Sequence, residues 1–134
     1  MLSANRAKRN NALRDSKLED KIANYLYRSQ ERKEISDIKE QVKLDLVINH
    51  KKVGQYKIDF TYIRGGVRHW VEVKGYFWAR DVLRFKMFLA TIPDSDVAII
   101  SSDIHENKKV RLSDTGMLQV WEADLMKWTR WTRK

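Results

Sequence analysis

Cysteine is absent from the 134 residues, and proline occurs once, at Pro93. The first absence excludes a disulfide scaffold and cysteine-ligated zinc, and it fits the cytoplasm. No apolar run approaches the ~20 residues needed to span a bilayer, so no membrane partner is expected. The N-terminus is basic but lacks the apolar stretch of a secretory signal. The three histidines, His50, His69 and His105, are scattered, which leaves no histidine metal cluster. No Walker-type glycine loop is present, so no nucleotide cofactor is expected. The length suits one domain with its own core.

What is abundant is positive charge. The net charge is +9, and much of it sits at the two ends. Residues 1–14 carry Arg6, Lys8, Arg9 and Arg14 with no acid, and residues 127–134 carry Lys127, Arg130, Arg133 and Lys134 with no acid. Basic arms on a near-neutral body favour a polyanionic partner, most often nucleic acid; two solvated tails are the plainer explanation.

Residues 1–14 are expected to form a basic arm. Ser16-Lys17-Leu18-Glu19 has the capping-box pattern and opens a helix to about Arg32, with Leu18, Ile22, Tyr25 and Leu26 at helical spacing. Residues 35–39 are expected to connect it to a strand from Gln41, with Val42, Leu44, Leu46 and Ile48 on one side and Lys43 and Asp45 on the other. Residues 49–54 suggest a turn. A second strand, 55–63, places Tyr56, Ile58, Phe60 and Tyr62 in the core and Lys57, Asp59 and Thr61 away from it. A third, 67–74, turns Val67, His69, Val71 and Val73 inward and Arg68, Trp70, Glu72 and Lys74 outward. A second helix, 79–90, has an apolar face of Val82, Phe85 and Leu89, widened by Leu83 and Met87, and Ile92-Pro93-Asp94 stops it. Residues 97–100 form a buried strand. Residues 113–131 suggest a short strand and a helix.

The most informative stretch joins the second and third strands. If Gly65-Gly66 is a two-residue hairpin turn, Asp59 falls directly opposite Glu72, with Cβ atoms about 4.5–5.5 Å apart. Facing carboxylates repel unless something neutralises them, and a divalent cation with oxygen ligands does so. Lys74 lies two residues beyond Glu72 on the same face, where it can orient or deprotonate an attacking water or stabilise phosphorane-like charge. The backbone carbonyl of Val73 is a third candidate ligand. A salt-bridge ladder, Asp59 with Lys74 and Glu72 with Lys57, is the competing explanation.

In combination, the Ser16–Lys21 segment, Ile58-Asp59-Phe60 and Val71-Glu72-Val73-Lys74-Gly75 resemble the PD-(D/E)XK nuclease superfamily. The likeness is to phage endonuclease I-type Holliday-junction resolvases and related small phage nucleases. It covers about residues 14–101. It implies an α/β fold in the α+β sense, with a restriction-endonuclease-like αβββαβ core (15–101), a mixed central sheet, and residues 102–134 as a C-terminal extension. It also implies Mg²⁺ or Mn²⁺ as cofactor, DNA as partner and the catalytic set Glu19, Asp59, Glu72 and Lys74, with metal held by Asp59, Glu72, Val73 and Glu19. Glu19 also has a complete explanation within its capping box. The proline that often precedes the family aspartate is Ile58 here. Glu40 or Gln41 falls near the second acidic position of the phage resolvases, and Gln41, at the start of a strand, is the favoured site neighbour. Expected products carry 5′-phosphate and 3′-hydroxyl ends. Resolving a four-way junction takes two nicks, which implies a homodimer. The setting is the bacterial cytoplasm, either of a phage host or of the bacterium itself.

Arg80 and Arg84 lie one turn apart on the second helix. With Lys57, Lys86, Arg6, Lys8, Arg9, Arg130 and Arg133 they are the candidate DNA contacts, although an ordinary solvated helix face explains the helical ones equally well. Trp70, Trp78, Trp128 and Trp131 can stack on bases or simply pack. Two other functions fit the same residues. One is a nicking or duplex-cleaving nuclease of phage replication, transposition or packaging. The other is a non-catalytic nucleic-acid-binding module.

Overall fold

A computed structural model describes residues 17–74, 78–101 and 107–132. Ser16, the N-terminal arm with Arg6, Lys8 and Arg9, and also His105 and Arg133, lie outside the described residues. Helix α1 spans Lys17–Glu31 and α2 spans Ala79–Thr91; the strands are β1 (Ser36–Ile48), β2 (Lys51–Arg64), β3 (Val67–Val73), β4 (Val97–Ser101), β5 (Asn107–Leu112), β6 (Leu118–Glu122) and β7 (Lys127–Arg130). All seven strands belong to one sheet in the order β1-β2-β3-β4-β5-β6-β7. Only the β3–β4 pair is parallel, because α2 supplies the crossover that a parallel connection needs. The chain is thus a single α+β domain with a mixed sheet. No described helix is long and apolar enough to cross a membrane.

Each face of the sheet carries one helix. Ile22, Ala23, Leu26 and Tyr27 of α1 pack with Phe60, Tyr62, Val71, Val73 and Ile99. Phe85 and Phe88 of α2 pack with Leu46, Tyr56, Ile58, Ala98, Ile100 and Val110 on the other face. Strands covered on both sides lose the in–out alternation of a one-sided sheet. That is why Asp59 and Thr61, expected to point away from the core, are buried along with Ile58, Phe60 and Tyr62. Trp70 is likewise drawn into the α2-side core, where its ring meets Phe88 edge-on at 5.7 Å and its Nε1 donates to Asp96 at 2.8 Å. Of the two readings, packing is the one these contacts support.

The glycine turn is as expected. Gly65 and Gly66 have φ of 57° and 75°, the positive pair that a type I′ hairpin requires. The register from Arg64↔Val67 to Phe60↔Val71 follows from it. The other hairpin is tighter than its sequence suggests. Its turn is Asn49 and His50, with φ of 50° and 64°, so β2 already begins at Lys51 rather than Gln55. Strand β1 begins at Ser36, not Gln41, with a bulge between Ser36 and Lys39 that seats Ile38 in the α1-side core. Beyond a second irregularity at Leu46–Val47, Ile48 leaves the core and is 53% exposed.

In α2 the buried anchors are Phe85 and Phe88, whereas Leu83 is 62% exposed, so the apolar face is rotated slightly from the one read off the sequence. The C-terminal part departs most. Within residues 113–131 the structure has two strands, β6 and β7, and one 3₁₀ turn, Ala123–Leu125, in place of a strand and a helix, and β5 precedes them. Trp131 packs against the α2-side core.

Candidate active site

The expected facing of Asp59 and Glu72 is met in the side chains and modified in the backbone. Regular β2–β3 pairing ends at Phe60↔Val71. One residue further, the Asp59 carboxylate replaces a backbone acceptor and takes the Val73 N–H at 2.8 Å. Asp59 is thereby locked beside Glu72, to which its carboxyl is hydrogen-bonded. Both are nearly buried, at 7% and 5% exposure. Burial first, then the charge of Asp59 and the bond to it, pushes the Glu72 carboxyl up to about 9, while the Tyr56 hydroxyl and Lys74 pull the other way. The pair therefore holds a proton at neutral pH, the usual result when two carboxylates share a desolvated site.

Tyr56 donates its hydroxyl hydrogen to Glu72 Oε2. Burial and the adjacent Glu72 raise its pKa, so it stays a donor. The competing salt-bridge ladder is not what forms at Asp59, whose carboxylate turns to Val73 N–H and Glu72.

A cleft of about 170 Å³ opens over Glu72, lined by Tyr56, Lys57, Lys74, Asp81 and Arg84 as well. Lys74 is held at the end of β3 by its backbone N–H, which donates to Ser101 O at 3.0 Å. Arg84 spans from α2 to β2, donating to Gln55 O at 2.6 Å with its guanidinium 6.0 Å from the Tyr56 ring centre. Asp81 accepts from the Trp78 N–H at 3.0 Å and so fastens the start of α2. Lys57 and Arg84 are thus brought to the cleft, whereas Arg80 and Lys86 do not line it. Arg130 lies on the sheet face away from α2. Tyr56 and Asp81 are cleft residues outside the expected set; the one sequence signal for Tyr56 is a core-facing tyrosine whose hydroxyl needs a partner.

Glu19 and Gln41 do not line the cleft; Gln41 lies on β1, the strand next to that of Asp59. Gln41 falls between the registered pairs Glu40↔Phe60 and Val42↔Ile58, opposite Asp59. Its φ is 53°, a left-handed residue inside a strand. Its Nε2 donates to Glu19 Oε2 at 3.2 Å, and Glu19 is 4% exposed on the first turn of α1. Among the described residues, Gln41 Oε1 is the one buried side-chain polar atom with no hydrogen-bond partner. Glu40 turns instead to α1, accepting from Tyr27 at 2.7 Å.

These groups fit a hard divalent cation. Two hydrogen-bonded carboxylates and an amide oxygen without a partner are all hard oxygen donors. Among the described residues no three histidine or carboxylate side chains converge at metal distance. Side chains would thus provide two donors, Asp59 and Glu72, while Glu19 is bonded to Gln41, which falls opposite Asp59. Mg²⁺ commonly takes one or two carboxylates and completes its shell with water.

Compared with family models, curated proteins and solved structures, the chain matches none.

Proposed function

We propose that the protein is a divalent-metal-dependent endonuclease of the PD-(D/E)XK type that hydrolyses phosphodiester bonds in branched DNA, four-way junctions above all. The observation that carries this reading is the buried, mutually bonded Asp59–Glu72 pair beneath a cleft that also presents Lys74. A buried carboxylate pair is destabilising in a purely structural role and useful where a cation replaces the proton. The order helix, three strands, helix, strand over residues 17–101, with β3 and β4 parallel, supports the resemblance.

Asp59 and Glu72, with the Val73 carbonyl, would hold Mg²⁺ or Mn²⁺, which when bound lowers the pKa of water and offsets charge on the phosphate. Lys74 orients the attacking water or meets the charge on the phosphoryl oxygens. Tyr56 fixes the Glu72 carboxylate. Gln41, opposite Asp59, holds Glu19 by a hydrogen bond. Lys57 and Arg84, at the cleft rim, hold the backbone on either side of the scissile bond. Attack is in line, leaving 5′-phosphate and 3′-hydroxyl ends, and paired nicks across a junction call for a symmetric dimer.

The test is cleavage of a labelled four-way junction and a matched linear duplex, each with Mg²⁺, with EDTA and with Asp59→Asn protein. Mg²⁺-dependent cleavage that the variant loses by a factor of about 10³ or more is the expected result, with the junction cut faster. Equal cutting of both substrates would favour a general nicking or duplex-cleaving enzyme. Binding without any cleavage would reduce the protein to a nucleic-acid-binding module.

A further inference from the structure

The sheet face that carries α1 continues past the helix over β5, β6 and β7. Strand pairing fixes which side chains share it: Lys109 registers with Ile99 of the α1-side core, Arg111 and Arg130 both register with Gln119, and Trp121 registers with Trp128. None of the three strands contributes a carboxylate to this face, since Glu122 lies on the other side, paired with Lys108 at 3.1 Å. Arg111 lies over the Trp128 ring at 4.1 Å, its Nε tied to Gln119 Oε1 at 2.9 Å. Trp121 braces Trp128 edge-on at 5.5 Å.

Lys109 also rims a pocket of about 400 Å³ where α1 crosses the sheet, lined further by Tyr25, Tyr62, Arg64, His69 and Ile22. Within it Tyr62 and His69 stack nearly parallel, with ring centres 5.0 Å apart and planes 10° apart. Tyr25, 45% exposed, stands at its mouth. The whole face thus alternates planar rings with four cations, Arg64, Lys109, Arg111 and Arg130. The carboxylate cleft opens on the opposite, α2-bearing face, so the two surfaces are separate.

We propose that this face binds single-stranded DNA, an unpaired strand of the branched substrate, stacking bases on Trp128 and seating one base in the Tyr25–Tyr62–His69 pocket while Lys109, Arg111, Arg64 and Arg130 take the phosphates. Aromatic rings accept any base, and cations beside them track the backbone. Among the described residues a protein partner would meet four positive charges that no carboxylate of β5, β6 or β7 on this face offsets, whereas a polyanion is complementary to them. The proposal rests on the nuclease reading for its source of unpaired strand, but not for its test.

That test is fluorescence anisotropy of a labelled single strand and a blunt duplex in EDTA, where nothing is cut. The proteins compared are wild type, Lys109→Glu/Arg111→Glu, Trp128→Ala and Trp128→Phe, with circular dichroism to confirm folding. The double charge reversal, at two exposed positions that carry little folding risk, is expected to weaken single-strand binding at least ten-fold. It should also flatten the salt dependence by roughly 0.7 per cation lost. Trp128→Ala should lose about five-fold or more and Trp128→Phe little, because stacking survives. Unchanged single-strand affinity in the double variant, or an equal loss for blunt duplex, overturns the proposal. Cleavage by wild type alongside unchanged binding would sink this inference alone. Single-strand binding lost as expected, in a protein that never cuts, would sink the nuclease reading alone.

Discussion

Replacing Glu72 by glutamine should leave the metal-free protein as stable as before near pH 5 and more stable as the pH rises. Glutamine copies the protonated acid: its carbonyl can accept from Tyr56 as Glu72 Oε2 does, and its amide can donate to Asp59 as a protonated Glu72 would. In wild type the Glu72 pKa is about 9 when folded and starts from 4.5. Between those values the native state holds a proton that the unfolded chain has lost. Its contribution is complete below the lower value and is lost as pH rises through the window. One proton limits the slope to about 1.4 kcal/mol per pH unit, or roughly 5 °C in melting temperature for a domain of this size. Mg²⁺ should reverse the trend in wild type by displacing that proton, adding about 2.7 kcal/mol at a hundred times its dissociation constant. The variant should gain little. The assay is a set of thermal melts from pH 5 to 9, with EDTA and with Mg²⁺, for both proteins. The difference between them cancels the titration of groups that do not touch Glu72. Parallel pH profiles, or an equal Mg²⁺ shift in both, would refute the shared proton and the metal site together.

Lys74→Met should reduce cleavage by about 10²–10⁴-fold while keeping the Mg²⁺-induced rise in melting temperature, measured side by side with wild type; loss of that rise would make Lys74 a support of the carboxylates rather than a partner of the water. Phe88→Ala removes a ring with no solvent exposure that stacks on Tyr56 at 4.9 Å. It should cost about 3–5 kcal/mol by urea denaturation. Its loosened Tyr56 should also lower cleavage under conditions where the protein is still folded.

The part of the site legible in sequence is the part written in local turn chemistry. Gly65-Gly66 admits few other turns, and the turn fixes the register that carries Asp59 to Glu72. Lys74 follows from strand periodicity alone. Burial was not legible in the same way. A strand with α1 on one side and α2 on the other reads Ile-Asp-Phe-Thr-Tyr, and alternation assigns Asp59 and Thr61 to water because it assumes one covered face. Strands β5 to β7 are only partly legible, one short strand being expected among residues 113–131, for the opposite reason. Each is short, with only Val110, Leu118, Val120 and partly Leu112 facing the core, too few positions to establish a period. Leu83 was misjudged because helix rotation about its axis is set by what the sheet offers, here the Tyr56 and Trp70 rings that receive Phe88.

Asp59 is also where the long β1–β2 hairpin changes sides. Tyr56 and Ile58 belong to the α2-side core and Phe60 and Tyr62 to the α1-side core, although strict alternation would keep all four together. The partner strand changes over at the same level, from Ile38 in one core to Val42 in the other, across the left-handed Gln41. A non-glycine residue with positive φ inside a strand is strained and persists where its surroundings hold it. At Gln41 the hold is the bond to buried Glu19. The crossover is therefore what opens space within the ladder: it ends regular β2–β3 pairing, frees the Asp59 carboxylate to bond Val73 N–H, and leaves Gln41 Oε1 facing inward without a partner. A hairpin that kept its alternation would have buried an apolar side chain at that level, and the sheet would have been better packed but without a buried group of oxygen donors beside a cleft.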